Sequence, residues 1–188
     1  MTKILIGLAI ILFLLTSYYI YLGGFALVKV EKQIKGPYYL VYQEMKGPYR
    51  NSGKVFEAVK SLLSEKKITP RAWAGLYFDP PAHVEESKLR THAGALLEEK
   101  QLPEVQDLIS SGKLKLRTIR SREYAVSEFP FKNQLSILIA LFRVYPKLNE
   151  YGLQYSFPPF VYKEENFENE YIMEIYYPDH VEYLMTTP

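Results

Sequence analysis

A four-residue phrase that occurs twice constrains the fold of this chain more than any other feature. Residues 48–51 read Pro-Tyr-Arg-Asn, and residues 130–133 read Pro-Phe-Lys-Asn. Each copy follows an apolar, strand-like run and precedes a stretch whose apolar residues recur with helical spacing. Because the phrase stands twice at the same kind of junction, we predict a duplicated strand–helix unit. Two such units leave a cleft along their junction, and clefts are where small ligands bind.

The periodicity of the chain predicts an α+β domain built from two pseudo-symmetric strand–helix–strand–strand units. One helix is predicted between Asn51 and Pro70, and the other between about Lys132 and Leu148. The second helix is apolar over a broad face, which predicts deep burial against the sheet. Residues 151–170 contain prolines and many acids and are predicted to form a loop. The predicted strands cover residues 28–34, 38–44, 72–78, 89–97, 114–119, 124–129, 171–177 and 181–186.

The amino terminus predicts a membrane anchor. Residues 4–28 carry no charge, and as a helix they would extend about 37 Å at roughly 1.5 Å per residue. That length is enough to cross a hydrocarbon core of about 30 Å. A cleaved signal peptide is the alternative, but residues 18–22 are bulky where a cleavage site needs small residues. We therefore predict a transmembrane anchor over residues 1–27 and one domain over residues 28–188.

Few charges set the orientation of this anchor. Lys3 lies before it, whereas Lys29, Lys32 and Lys35 follow it together with Glu31. Basic residues concentrate on the cytoplasmic side of membrane anchors. The count slightly favours a single-pass membrane protein whose carboxy-terminal domain is cytoplasmic.

The composition excludes several classes of function. Lys3 is the only one of the 23 basic residues that precedes Lys29, so the predicted domain carries 22 basic and 21 acidic side chains. A nearly neutral domain without a basic stripe does not fit nucleic acid as its principal partner. The chain has no cysteine, which excludes disulfides, thiol catalysis and zinc ribbons.

The sequence contains no catalytic or metal-binding signature. The segment from Gly47 to Lys54 has neither the glycine spacing nor the Ser or Thr of a phosphate-binding loop. His83, His92 and His180 show no pairing at helical spacing, and no Gly-x-Ser-x-Gly elbow occurs. We therefore predict no metal, no cofactor and no catalytic residue, and we expect a binding site more than an enzyme.

Two carboxylates near the carboxy terminus lie among aromatic residues. Glu174 stands near Tyr171 and Tyr176, and Glu182 precedes Tyr183. A carboxylate directed into an apolar face costs several kcal/mol unless a cation or a hydrogen-bond donor compensates it. With flanking rings it forms a cage for a lipophilic cation, to which each ring adds roughly 0.5–2 kcal/mol. The alternative is that both acids point to solvent from alternating strand positions.

Several motifs resemble the GyrI-like, or bacterial effector-binding, domain family. They are Gly-Pro-Tyr at 47–49, the run at 75–81, the segment 88–97, and Glu-Ile-Tyr at 174–176 before a final strand. The resemblance covers residues 28–188 and implies two strand–helix–strand–strand units around a shared cleft. It also implies that small amphipathic or cationic compounds bind in that cleft to a glutamate on the final strand. Glu182 matches that position best, and Glu174 is the candidate in the other register.

The anchor narrows the resemblance to a membrane-tethered branch that includes reticulophagy receptors of the animal endoplasmic reticulum. The segments 77–80 and 143–146 carry part of this similarity. That branch recruits its partners through a long carboxy-terminal tail, whereas this sequence stops at Pro188. The resemblance therefore implies an anchored domain more than a receptor.

From these observations we expect a membrane-tethered domain that binds a small amphipathic or cationic molecule in the cleft between the units. The alternative is an adaptor that docks a protein partner at the membrane, and a cleft filled by its own side chains would favour it. A hydrolase that uses a cleft carboxylate is the least supported option. The predicted site residues are Glu182 or Glu174 for the charge and, for the walls, Tyr42, Trp73, Tyr77, Tyr171 and Tyr176.

Overall fold

The computed structural model describes residues 2–154 and 171–186, which form an antiparallel sheet with helices on one face. The helices are α1 (Thr2–Tyr21), α2 (Ser52–Glu65), α3 (Gln106–Ser110) and α4 (Gln134–Gln154). The strands are β1 (Glu31–Lys35), β2 (Tyr38–Lys46), β3 (Ala72–Tyr77), β4 (Arg90–Leu97), β5 (Lys115–Ile119), β6 (Arg122–Pro130), β7 (Ile172–Tyr176) and β8 (His180–Thr186). The α+β class predicted from the sequence is confirmed.

The sheet has the strand order β1-β6-β8-β7-β3-β4-β2-β5. The central pair is β3 and β7, which run antiparallel with Gly75 opposite Glu174 and Trp73 opposite Tyr176. Outward from this pair, the order is β4-β2-β5 on one side and β8-β6-β1 on the other. One block holds β2, β3 and β4 of the first predicted unit together with β5 of the second. The other holds β6, β7 and β8 of the second unit together with β1 of the first, and the two blocks meet at β3 and β7.

The two long helices α2 and α4 pack on the same face, which we call the helix face. Val59 and Leu63 of α2 are buried in a cluster with Ala95 of β4. Val144 of α4 is buried in a second cluster with Phe129 of β6. Because each helix covers the strands of its own block, the two helices flank the central strands β3 and β7.

The other side of the sheet, which we call the concave face, curls around a core of its own. Leu40, Leu76, Tyr124 and Leu184 are buried there in one cluster, although they come from strands on both halves of the sheet. Strand twist allows such curvature, and the alternation of side chains assigns each strand residue to one face or the other. Residues one position apart on a strand therefore face different cores.

The repeated phrase lies at the start of both long helices, as predicted, but the two copies begin their helices differently. Asn133 caps α4, since its side-chain oxygen accepts a hydrogen bond from the backbone N–H of Leu135 at 2.9 Å. In the first copy, residues 49–51 form a short 3-10 turn, and the side chain of Asn51 makes no capping bond to α2.

Helix α4 is longer than the sequence predicted. It continues to Gln154, beyond the predicted end at Leu148, and it contains Pro146 within the helix. Residues 151–154 of the predicted loop are therefore helical. The remainder of that loop, residues 155–170 with most of the acidic run, lies outside the described residues.

The prediction that α4 buries its broad apolar face is wrong. Its buried positions form a narrow stripe of mostly small residues, namely Ser136, Ala140, Val144, Leu148 and Gly152. Small residues let the helix approach the large side chains of the sheet closely, which leaves bulkier residues at its flanks. The bulky apolar side chains of α4 that are left at least two-fifths exposed are Leu135, Leu138, Leu141, Phe142 and Leu153.

Helix α1 has no buried residue, and its 20 residues have a mean hydropathy of 2.2 in their most apolar window. By length and composition it is sufficient to cross a membrane, and a signal sequence near an amino terminus passes the same test. The prediction of a retained anchor over a cleaved signal peptide therefore stays a prediction.

Gly94 in β4 generates a prediction about stability. A Cβ atom at this position would lie 2.0 Å from the carbonyl oxygen of Val41 and 2.7 Å from the Cα of Tyr42, both in the neighbouring strand β2. We expect Gly94→Ala to separate β4 from β2 and to lower the free energy of unfolding by about 2 kcal/mol or more. Chemical denaturation of the full chain in detergent micelles measures this loss.

The matched control is Gly53→Ala in the first turn of α2, where a Cβ atom would meet nothing within 4 Å. There the substitution is expected to raise stability by roughly 0.5–1 kcal/mol, because alanine favours the helix. A Gly94→Ala variant as stable as the wild type would contradict the close strand approach.

Candidate functional site

A cavity lies on the helix face between α2 and α4, above the central strands β3 and β7. Its volume is about 1210 Å³. Side chains of α2 such as Phe56 line one wall, and Ile137, Leu141 and Tyr145 of α4 line the other. The cavity is therefore located at the junction of the two blocks, where the duplication predicted a cleft.

Glu174 lies at the floor of this cavity, in the central strand β7. Only 3% of the residue is exposed. The hydroxyl of Tyr145 donates a hydrogen bond to its Oε1 atom at 2.6 Å, and the hydroxyl of Tyr176 donates to its Oε2 atom. Within the described part of the chain, no Lys, Arg or His pairs with this carboxylate. Glu174 is a buried acid held by tyrosine hydroxyls.

Burial is the largest influence on the charge of this acid. Loss of hydration raises the pKa of Glu174 above its usual value, and hydrogen bonds from Tyr145, Tyr176 and Tyr77 lower it part of the way back. The same burial, with the nearby Glu174 charge, raises the pKa values of Tyr145 and Tyr176 well above the normal range. These phenols therefore stay protonated at neutral pH and remain hydrogen-bond donors to the acid.

Gly75 makes room for a third tyrosine beside the acid. It lies directly opposite Glu174 in β3, and a Cβ atom there would be 3.0 Å from the ring of Tyr77. Because Gly75 has no side chain, the Tyr77 ring lies over the strand, and its hydroxyl is 3.4 Å from that of Tyr176. The absence of one side chain thus allows the three phenols to gather around Glu174.

Tyr49, the aromatic residue of the first phrase, is fixed beside this group. Its hydroxyl donates to the carbonyl oxygen of Asp79 at 2.7 Å and accepts from the Asp79 N–H at 3.0 Å. The Asp79 carboxylate is itself held by Arg90, with Nη2 2.6 Å from Oδ1, and both residues are buried. The Tyr49 ring lies edge-on to Tyr77, with their centroids 4.8 Å apart. A buried ion pair therefore positions one wall of the cavity.

Further aromatic rings meet at the opposite end of the floor. The ring of Phe56 contacts those of Tyr176 and Trp73 edge-on, with centroid separations of 5.8 Å and 6.4 Å. Phe131, the aromatic residue of the second phrase, lies 6.4 Å from the Tyr176 ring. Both copies of the phrase thus place an aromatic side chain on the cavity.

The predicted site residues are divided between the two faces of the sheet. The structure brings five of them to the cavity, namely Glu174, Trp73, Tyr77, Tyr171 and Tyr176. Tyr42 lies on the concave face, where its ring stacks on that of His92 at 4.2 Å. Burial is the largest of the influences that lower the pKa of His92 to about 3, so this ring is neutral at physiological pH.

Glu182 is also on the concave face, because it pairs with Ile175 and not with Glu174 across the β7–β8 ladder. Its Oε1 atom is 2.6 Å from the ammonium group of Lys35 in β1. Donor atoms of Glu128, His180 and Glu182 lie within 4.8 Å of one another. Lys35 already supplies a positive charge at this group, so the geometry does not single it out as a metal centre. The structure therefore places Glu174 at the cavity and Glu182 on the other face of the sheet, and which acid binds a ligand stays a prediction.

Four aromatic residues of the cavity were not predicted from the sequence, namely Tyr145, Phe56, Tyr49 and Phe131. Tyr49 and Phe131 could have been predicted, since they occupy equivalent positions in the two copies of the repeated phrase. Tyr145 carried a weaker signal, because it follows Leu141 by four residues on one side of the predicted helix. Phe56 belonged to the apolar stripe of α2 and was not distinguishable from a core residue.

The profile of the GyrI-like small molecule binding domain matches residues 29–180, which is most of the chain. The chain therefore belongs to the GyrI-like family, as the resemblance implied. No curated protein gives a significant match to the sequence. The narrower resemblance to a membrane-anchored branch with reticulophagy receptors is not shown and stays a prediction.

Two solved structures have similar folds at low sequence identity. The structure of SAV2435 bound to tetraphenylphosphonium has a TM-score of 0.55 and 11% identity, and the match covers 85% of this chain and 94% of that one. A cryo-EM structure of an EcmrR–DNA complex has a TM-score of 0.54 and 10% identity, over 98% of this chain and 67% of EcmrR. At these identities the similarity extends to the fold alone.

The raised pKa of Glu174 generates a prediction about stability and pH. A carboxyl group whose pKa is higher in the folded state stabilises the fold at low pH, and this contribution is lost as the pH rises from the unfolded value through the folded one. We expect Glu174→Gln to remove that loss, so that its stability falls less than that of the wild type as the pH rises from about 4.5. Denaturant titrations at a series of pH values test this.

Glu150→Gln on the exposed side of α4 is the control, because it removes an acid that is not buried. Its stability is expected to follow the wild-type pH dependence. Parallel curves for Glu174→Gln and the wild type would show that the buried acid does not titrate in the expected direction.

Proposed function

We propose that the domain binds a small amphipathic cation in the cavity, with the Glu174 carboxylate as its counter-charge. The observation that carries this proposal is a buried acid at the floor of a large cavity, compensated within the described residues by phenol hydroxyls alone. A carboxylate in such surroundings gains most from a ligand that supplies positive charge. Membership of a family of small-molecule binding domains supports this function.

The shape and chemistry of the walls favour a ligand with an apolar body. The volume of about 1210 Å³ exceeds the usual range of roughly 300–1,000 Å³ for pockets that hold drug-sized molecules. Rings of Trp73, Tyr176, Phe56 and Phe131 surround the floor, and each offers a π-face or edge to a delocalised cation. A compact, strongly hydrated metal ion would find few oxygen ligands there.

The size of this cavity also bears on the alternative of a protein-interaction adaptor. That reading expects a cleft filled by the domain's own side chains, whereas the described residues leave a large cavity. The observation supports ligand binding over an adaptor role. The bound tetraphenylphosphonium of SAV2435 makes this lipophilic cation a suitable first probe.

We further propose that α1 tethers the domain to a membrane as a retained, single-pass anchor. Its carboxy-terminal end is in contact with the domain, since the Asn133 side chain donates to the Tyr18 hydroxyl at 3.1 Å. Gly23 lies against the ring of Phe129, where an added Cβ atom would be 3.1 Å away. These contacts fit a segment that remains attached, and the charge count favours a cytoplasmic domain.

We also propose that the two units are related by a pseudo-twofold axis between β3 and β7. The matching strand orders on the two sides of that pair support this relation. So do the two phrases, each of which delivers an aromatic residue to the cavity. The relation explains why the cavity lies at the junction of the units.

The proposed function predicts a loss of affinity when the charge of Glu174 is removed. We expect Glu174→Gln to bind tetraphenylphosphonium at least about tenfold more weakly than the wild type, a difference of about 1.4 kcal/mol. The amide keeps the size of the side chain but removes the negative charge. Fluorescence or calorimetric titration of the full chain in detergent measures both affinities.

Two carboxylates serve as controls for this experiment. Glu182→Gln removes a buried acid on the concave face, and Glu57→Gln removes an exposed acid at the same cavity. Both variants are expected to bind within a factor of about two of the wild type, which is less than 0.5 kcal/mol. Equal affinities of the wild type and Glu174→Gln would remove Glu174 from the site.

The raised pKa of Glu174 predicts that binding of the cation releases protons. A bound positive charge favours the ionised carboxylate, so any fraction of protonated Glu174 must lose its proton when the ligand enters. We therefore expect affinity to rise with pH until it passes the pKa of the free protein. Calorimetry in buffers of different ionisation enthalpy measures the release, which should be absent in Glu174→Gln. No difference between buffers at any pH would contradict this coupling.

A further inference from the structure

The first half of α4 presents an apolar stripe that faces away from the sheet. Its members follow one another at helical spacing, and they are 48%, 50% and 77% exposed at Leu135, Leu138 and Phe142. Beyond Phe142 the next exposed positions are Pro146, Lys147, Asn149 and Glu150, and an exposed apolar side chain returns only at Leu153 near the end of the helix. The continuous apolar stripe therefore occupies the first turns of α4.

The carboxy-terminal end of α1 contacts the same first turns of α4. At the beginning of α4, Asn133 is hydrogen-bonded to Tyr18, and the neighbouring Lys132 lies over the ring of Tyr21 at 5.9 Å. About ten residues further along, the guanidinium of Arg143 donates to the carbonyl oxygen of Gly24, and to that of Ala26 at 2.9 Å. Residues 18–26 therefore run beside α4 from its first turn to Arg143.

These contacts fix where α4 lies relative to a bilayer that α1 crosses. Tyr18 and Tyr21 stand at the end of the apolar helix, where a spanning segment reaches the headgroups. Because this end is bonded to α4 at two points, the first turns of α4 must lie at the same level. The exposed Phe25 and Leu27, at 69% and 77%, belong to the segment that joins the two.

We propose that the Leu135–Leu138–Phe142 stripe rests in the interface of the bilayer that α1 spans. This inference rests on the proposed membrane anchor and adds a second, peripheral contact to it. Amphipathic helices lie in such interfaces with their apolar side roughly 5–10 Å deep in the headgroup and acyl boundary. The exposed apolar side chains are covered by lipid, and the polar positions past Pro146 remain in water.

This contact places one wall of the cavity at the membrane. Ile137 and Leu141 line the cavity and alternate along α4 with the members of the stripe. An amphipathic cation partitions into the interface, so its local concentration is highest beside this wall. The proposed contact thus brings the cavity that contains Glu174 close to the phase in which such a ligand accumulates.

The absence of cysteine from the chain permits a direct test with single-cysteine variants. The full chain, reconstituted into liposomes of phosphatidylcholine, would carry the environment-sensitive fluorophore NBD at Leu138→Cys or Phe142→Cys. Glu150→Cys, on the polar half of the same helix, is the matched control. Lipids with a spin label high on the acyl chain quench fluorophores at the interface, and iodide quenches those in water.

We expect blue-shifted emission and severalfold stronger lipid quenching at positions 138 and 142 than at position 150. Iodide should quench in the reverse order. Water-like emission with equal iodide quenching at all three positions would overturn the proposal. Blue-shifted emission that lipid spin labels fail to quench would also overturn it, since a protein partner or a second copy would then cover the stripe.

Two further measurements separate this inference from the proposals it rests on. A fluorophore at Leu12→Cys, in the middle of α1, reports insertion by its quenching from spin labels deep in the acyl chain. Titration of the same liposomes with tetraphenylphosphonium reports the cavity. If α1 is inserted and the cation binds, but the fluorophores at positions 138 and 142 are exposed to water, only the proposed contact of the stripe with the bilayer is wrong. If α1 is not inserted, both the anchor and the contact are wrong.

Discussion

The fold is organised around a buried carboxyl group that lies under phenol hydroxyls at the centre of the sheet. An isolated carboxylate in an apolar interior costs several kcal/mol, which proteins normally offset with a cation or with hydrogen bonds. Here hydrogen bonds from Tyr145 and Tyr176 provide the compensation, and burial still raises the pKa of Glu174. Phenols donate hydrogen bonds to the acid but supply no positive charge. The proposed cationic ligand would supply that charge, whereas a lysine in place of the tyrosines would already pair with the acid.

The two acids of the terminal strands show that a difference of one residue in strand pairing decides whether an acid meets a lysine or only tyrosine hydroxyls. Glu174 and Glu182 are both buried and both flanked by aromatic residues in the sequence. On the concave face, Lys35 reaches Glu182 from the edge strand β1 and forms an ion pair. On the helix face, the central position of β7 keeps Glu174 away from every edge strand, and tyrosines surround it. Lys35 thus provides a counter-charge for Glu182 within the fold, and the proposed ligand site uses Glu174, the acid that tyrosine hydroxyls hold.

The sequence predicted the elements of the fold better than the assignment of residues to its site. Strands and helices have strong periodic signals, and the duplicated phrase indicated where two units begin. No such signal distinguishes Glu174 from Glu182, because both lie on strands whose two faces are apolar, and only the pairing of β7 with β8 separates them. The resemblance to the family favoured Glu182 because that residue lies in the final strand. Tyr42 was misplaced because alternation identifies that a strand has two faces but not which one holds a cavity.

The surroundings of helix α4 explain why its broad apolar surface did not predict which of its side chains are buried. Its small residues pack on the sheet, Tyr145 and Leu141 line the cavity, and Leu138 and Phe142 point away from both. A helix that serves three environments has the same composition as one buried on all sides, so the pattern alone cannot separate them. Arg143 distinguishes one of these sides, because its guanidinium binds carbonyl groups of the segment that follows α1. These hydrogen bonds fix which side of α4 faces that segment. The same helix contacts the amino-terminal segment and carries Tyr145, whose hydroxyl donates to Glu174. A movement of α4 relative to β7 would therefore alter a hydrogen bond of the buried acid, so the proposed bilayer contact and the proposed ligand site share this one helix.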